Sequence, residues 1–137
     1  MAESTTALLR GALNTLNGDV VARLAEYGHD MVRPAHGAVL QHLDEEGTTV
    51  TALAARASMT KQSMAELVRH LEFNGYVERV TDPSDRRAKL VVPTEWGVAV
   101  NALLAEFAEE SEARLAELLG PTRANRLRDE LQKIAGA

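Results

Sequence analysis

Leu8, Leu9, Ala12, Leu13, Leu16, Val20, Val21 and Leu24 recur three and four positions apart, which predicts a helix over about residues 5–27. Asn17-Gly18 interrupts that stripe and predicts a bend, and Gly28 is placed to cap the C-terminus. Pro34, tolerated in a first helical turn, opens a second helix with Ala35, Val39, Leu40 and Leu43 on one side, ending at Gly47. The β-branched Thr48-Thr49-Val50 predicts a short strand, and Thr51 an N-cap for a short helix through Ala57. After a Ser58-Met59 turn, Thr60 caps a fourth helix that buries Met64, Leu67, Val68 and Leu71. Asn74-Gly75, a pair that tolerates left-handed backbone, ends it.

The hydrophobic period then changes. Tyr76–Val80 alternates as a half-buried strand does, and Asp82-Pro83-Ser84-Asp85 is turn chemistry. Lys89–Val92 returns as the partner strand, and Pro93 stops the ladder. Thr94 caps a long helix to about Leu119, about 39 Å at 1.5 Å per residue. Gly120-Pro121 breaks it, and a last helix carries Ala124, Leu127, Leu131 and Ile134 on one side. Three helices followed by a hairpin make a winged helix-turn-helix, and the expected fold is mainly α (α+β). The expected segments are an N-terminal helix (1–32), a winged lobe (33–97) and C-terminal helices (98–137). Within the lobe the recognition helix falls at about 60–74 and the wing at about 76–93.

This order exposes chemistry at two places. The helix capped by Thr60 presents free N–H groups and the positive end of its dipole, which favour phosphate. Lys61, Gln62 and Ser63 can reach base edges there: Gln suits adenine, Lys suits guanine, and Arg69 is better placed for phosphate. Ala54, Ala55 and Ala57 are small enough for the preceding helix to cross closely. In the hairpin, Arg86 and Arg87 are expected at a tip constrained by Asp82 and Asp85, with Lys89 behind them. One arginine can enter a narrow minor groove while the acid orients the other. Taken singly, each feature is also what an ordinary solvated turn looks like; their succession along the chain favours double-stranded DNA.

Charge qualifies this picture. Fifteen basic against twenty acidic side chains leave a net charge of −5, which predicts weak non-specific DNA binding. The charges are segregated, however. Glu106, Glu109, Glu110, Glu112 and Glu117 face Arg114 alone in the long helix, whereas Arg79, Arg86, Arg87 and Lys89 outnumber Asp82 and Asp85 in the hairpin. No run of apolar residues is long enough for a membrane span and no secretory signal is visible, so a cytoplasmic location is expected. The absence of cysteine excludes disulfides, thiolate zinc and thiol sensing. His29, His36, His42 and His70 lack the spacing of a helical zinc site, so neither metal nor cofactor is expected. There is no nucleophile elbow, glycine-rich phosphate loop or HExxH pattern, so an enzyme is not expected.

Met59–Met64, Leu71–Val77, Asp82–Lys89 and Pro93–Gly97 together closely resemble the MarR (multiple antibiotic resistance regulator) transcription factors, strongly so over about residues 35–97. Family members commonly have Leu where this chain has Pro93. The resemblance implies a homodimer on a pseudo-palindromic operator, usually a repressor released by a small ligand. It places the residues matching Lys61, Gln62 and Ser63 in the major groove and those matching Arg86 and Arg87 at the wing contact. It also implies a pocket for a small aromatic or amphipathic ligand, which Tyr27, Met31, His36, Leu40 and Trp96 could approach.

Dimerisation is expected on independent grounds. A helix of about 26 residues on so short a chain cannot bury its apolar side within one small domain. Leu8, Leu13, Leu103, Phe107, Leu115, Leu127 and Leu131 are the expected interface, unless they close into an intrachain bundle. The expected function is a homodimeric DNA-binding repressor. The alternative, prompted by the acidic net charge, is a winged-helix protein-interaction module without DNA binding.

Overall fold

The computed structural model describes residues 2–136. Its elements are α1 (Thr5–Leu16), α2 (Val20–Glu26), a 3₁₀ turn (Pro34–His36), α3 (Gly37–Leu40), α4 (Val50–Arg56), α5 (Lys61–Phe73), β1 (Val77–Asp82), β2 (Asp85–Pro93), α6 (Glu95–Leu119) and α7 (Pro121–Ala135). They form two compact units, one up to Leu103 and one from Leu104 onward.

Cap chemistry explains most of these boundaries. Ser4, Thr49 and Thr60 each accept an N–H bond from the residue three positions on, opening α1, α4 and α5. Three helices close with paired 6→1 and 5→2 backbone bonds. Gly28 and Gly75 supply the positive φ after α2 and α5 (86° and 81°), and Ser58, a non-glycine at 55°, does so after α4.

Several expectations need correcting. Asn17-Gly18 does not bend one helix; the Asn17–Asp19 turn separates α1 from α2. The helix begun by Pro34 starts as a 3₁₀ turn and stops at Leu40, well short of Gly47. Thr48 makes a single antiparallel bridge to Val91 rather than a strand. Its neighbour Thr49, not Thr51, is the N-cap, because the Thr48 pairing leaves Thr49 extended with its hydroxyl at Ala52 N–H. Gly47, at φ 111°, lies so close to β2 that an added Cβ would sit 2.8 Å from Leu90 Cβ.

The core of the first unit joins Leu24 and Val32 to Val39, Leu53, Met64, Val68, Leu71, Val77, Val91 and Val100, all essentially buried. α4 packs on α5, and α5 on β1. A salt bridge of 3.0 Å from Arg56 to Asp44 ties the end of α4 to the loop after α3. That hydrogen bond holds the Asp44 carboxyl below its ordinary pKa. By contrast α1 and α7 bury no residue, and Leu8 and Leu13 remain 56% and 57% exposed. In the second unit, Leu115, Leu127 and Leu131 line a groove of about 310 Å³. Phe107, expected to await a partner, is only 4% exposed in the single chain.

Candidate nucleic-acid interface

α5 begins at its charged end. Thr60 Oγ1 accepts from Ser63 N–H at 3.1 Å and donates to Ser63 Oγ at 2.9 Å, so the Ser63 hydroxyl serves the cap as well as the surface. Lys61, Gln62 and Arg69 are exposed and, among the described residues, carry no side-chain hydrogen bond or ion pair. The opposite face is held by Met64, Val68 and Leu71 in the core, which fixes which side of α5 is outward. The helix is locked from its far end too, since Glu72 pairs with Arg79 of β1 at 3.3 Å. That pair removes Arg79 from the basic surface counted in the sequence.

The wing differs from expectation in an instructive way. Its tip is Pro83-Ser84, not the arginines. Asp82 accepts from both Ser84 N–H (2.9 Å) and Ser84 Oγ (2.8 Å), a local turn that fixes the reversal. These two bonds, the backbone one first, hold the Asp82 carboxyl below its ordinary pKa. Pairing runs Thr81↔Lys89 and then jumps to Asp82↔Asp85, so Arg86, Arg87 and Ala88 have no residue opposite them. Such an irregularity re-aims side chains. Asp85 accepts from Arg87 N–H at 3.0 Å and lies 3.8 Å from its guanidinium, while Arg86 has no partner among the described residues. Lys89 Nζ donates across the ladder to Thr81 Oγ1 at 2.9 Å, and Pro93 ends β2 opposite Val77.

Behind the wing, the chain approaches itself closely. Thr94 donates its N–H to Tyr76 O (3.1 Å) and its hydroxyl to Gly75 O (2.6 Å), and its Oγ1 caps α6 by accepting from Gly97 N–H at 3.3 Å. A Cβ at Gly97 would overlap the Tyr76 carbonyl oxygen, which is why glycine stands three residues after the threonine.

A second candidate site lies in the first unit. Gly28, Asp30, Met31, Asn74, Gly75, Tyr76 and Trp96 line a cleft of about 320 Å³, within the range of small-molecule sites. Of the five expected ligand residues only Met31 and Trp96 line it. Tyr27 lies outside its lining; Leu40 and His36 are buried in the core. His36 instead stacks on His70 with ring centroids 4.7 Å apart, and accepts from Arg33 N–H at 2.9 Å. Sequence reasoning missed Asp30 and Tyr76. The Tyr76 hydroxyl bonds His29 Nδ1 at 2.7 Å across 47 residues of chain, a contact no local pattern announces. Burial, and then the Asp30 carboxylate, push the Tyr76 phenol above its ordinary pKa.

Comparison with known proteins adds an independent line. A model described as MarR family matches residues 32–88. A Mycobacterium tuberculosis protein is 30% identical over 118 residues, spanning 86% of this chain and 79% of its own. The crystal structure of CouR from Rhodococcus jostii RHA1 bound to p-coumaroyl-CoA is 33% identical, with TM-score 0.71, over 93% of this chain and 89% of that one. CouR, there called a transcriptional repressor, is also known bound to a 23-mer DNA duplex, matching at 28% identity and TM-score 0.76 over 96% and 92% of the two chains. A MarR-family transcriptional regulator from Rhodococcus sp. RHA1 matches at 28% identity and TM-score 0.73 over 98% of both chains.

Proposed function

The chain belongs to the MarR family and is a DNA-binding transcriptional regulator, and from that premise we propose that it is a homodimeric repressor of a pseudo-palindromic operator. Lys61 and Gln62 at the start of α5 read base edges in the major groove, with Thr60 and Ser63 holding the turn and Arg69 on phosphate. Arg86 is the minor-groove residue of the wing and Arg87 its oriented companion. The observation that carries this reading is the register jump in β2, which leaves Arg86 and Arg87 unopposed in an otherwise paired hairpin. Lys61, Gln62 and Arg86 are also without competing partners among the described residues.

Exposed leucines on α1 and the Leu115–Leu127–Leu131 groove support the dimer. Two-fold pairing would set the recognition helices about 34–36 Å apart, one DNA turn. The protein acts by binding rather than catalysis, in the cytoplasm. Among the described residues no helix is long and apolar enough to cross a membrane. The cleft beside Met31 and Trp96 is the site at which a small ligand releases the operator.

Titration of fluorescent upstream DNA at several salt concentrations tests the assignment. A dimer contacting several phosphates gives log K falling with log salt at about −0.9 per phosphate. Arg86→Ala with Arg87→Ala lowers affinity for all sequences and flattens that slope. Gln62→Ala relaxes preference at one base position by about 1–3 kcal/mol. Salt-independent binding, or none at low salt, would instead identify a winged-helix module that contacts protein.

A further inference from the structure

Given the ligand-site reading above, on which this inference rests, the chemistry lining the cleft narrows what can occupy it. None of its lining residues is a lysine or arginine, and its one charged side chain is the Asp30 carboxylate. Some neutral donors of the lining are engaged, whereas the Trp96 indole N–H has no hydrogen-bond partner among the described residues. The Tyr76 hydroxyl is engaged with His29 Nδ1 at 2.7 Å, and the Asn74 amide nitrogen donates to His70 O at 2.9 Å, which leaves its second N–H and its carbonyl oxygen. Donors and acceptors both face a ligand, so the sign of the lining is set by the Asp30 carboxylate, with the Arg33 guanidinium outside the lining donating to the Asp30 carbonyl oxygen at 2.8 Å. Around them stand apolar and aromatic surfaces: Met31, 46% exposed, and Trp96, 60% exposed, whose indole meets the His29 ring edge-on at 5.6 Å. Burial first, and the Asp30 carboxylate second, raise the pKa of the Tyr76 phenol on the cleft wall.

We propose that this cleft binds a flat organic cation, its positive charge against Asp30 and its ring system against Trp96 and Met31. A carboxylate opposite would repel the anionic form of an aromatic acid, whereas a cation gains both the Coulomb attraction and the quadrupole of the indole face. The site is wired to the DNA-reading helix. Met31 O, on its wall, accepts from His70 Nε2 of α5 at 2.8 Å, so displacement of Met31 by a ligand is transmitted to α5 through that bond.

Isothermal titration calorimetry of the full-length protein with three probes of one shape tests this: N-methylquinolinium as the cation, quinoline as the neutral ring, and quinoline-2-carboxylate as the anion, all at pH 8. The cation is expected to bind at least about tenfold more tightly than the anion at low salt, with the gap narrowing as salt rises. Asp30→Asn, at an exposed residue, is expected to remove most of that gap. Trp96→Leu lowers affinity for the cation more than for the neutral ring. Equal or tighter binding of the anion, no cation binding at millimolar concentration, or an unchanged cation affinity in Asp30→Asn overturns the proposal. Operator retention is measured in the same samples. A cation that binds through Asp30 yet leaves DNA bound supports the cleft assignment while refuting ligand release.

Discussion

The His36–His70 stack sets a specific pH dependence of stability. His36 is 5% exposed, and burial first, then the charge of the neighbouring His70, lower its pKa from 6.5 to about 4. At about 1.36 kcal/mol per tenfold change in proton affinity, the full linkage is about 3.4 kcal/mol. The sign follows from which state takes the proton first. Unfolded His36 protonates near 6.5 while the folded ring stays neutral, so the contribution is complete above 6.5 and is lost as pH falls toward 4. Between pH 7.5 and 4.5 the loss amounts to about 2.5 kcal/mol. His36→Asn is the control, because its Oδ1 can take the Arg33 N–H that now reaches His36 Nδ1 at 2.9 Å without titrating. Urea unfolding of both proteins at one fixed concentration gives the difference in stability at each pH, cancelling the titrating groups that His36 does not touch. The wild type is expected to lose about 2 to 3 kcal/mol relative to His36→Asn over that window. A difference that stays flat, or that grows as pH rises, would refute the assignment of a buried neutral His36.

Three further outcomes test the fold. Gly97→Ala must push α6 off the Tyr76 carbonyl and is expected to cost about 2 kcal/mol or more, read as a lower urea midpoint; an unchanged midpoint would show that α6 does not start against Tyr76. Ser58→Gly relieves a left-handed non-glycine (φ 55°) at the turn between α4 and α5. Subtracting the chain entropy of glycine from the strain leaves a gain of about 0.5–1 kcal/mol, and a loss in thermal unfolding would point to an unseen role for the serine. Leu8→Glu with Leu13→Glu charges the uncovered face of α1 and should convert the proposed dimer to a folded monomer in sedimentation; a dimer of unchanged mass would remove α1 from the interface.

Some of the candidate site was legible in the sequence. Thr60 as N-cap, Asn74-Gly75 as a helix end and Asp82–Asp85 as a turn rest on bonds within a few residues, and all three are present. Lys61 and Gln62 follow directly from the cap. The placement of Arg86-Arg87 at the hairpin tip was wrong because turn composition locates a reversal only approximately. Here the Ser84 bonds to Asp82 moved it to Pro83-Ser84 and displaced the arginines into an irregular return strand. Reading Thr51 as a cap failed for a related reason: pairing of Thr48 with Val91, 43 residues away, decides where the extended backbone ends.

From its residues alone this chain determined the succession of helical segments and hairpin, the caps at Thr60, Asn74-Gly75 and Thr94, and which polar side chains stand at the head of α5. Those outcomes depend on neighbours within about four positions, where hydrogen-bond chemistry is written in the sequence itself. Only the tertiary structure decided that His36 would lie on His70, that Tyr76 would meet His29 beside an acidic cleft, and that Phe107 would be covered within one chain. Such contacts depend on how whole elements pack, and packing is set by the sum of many apolar faces rather than by any short pattern.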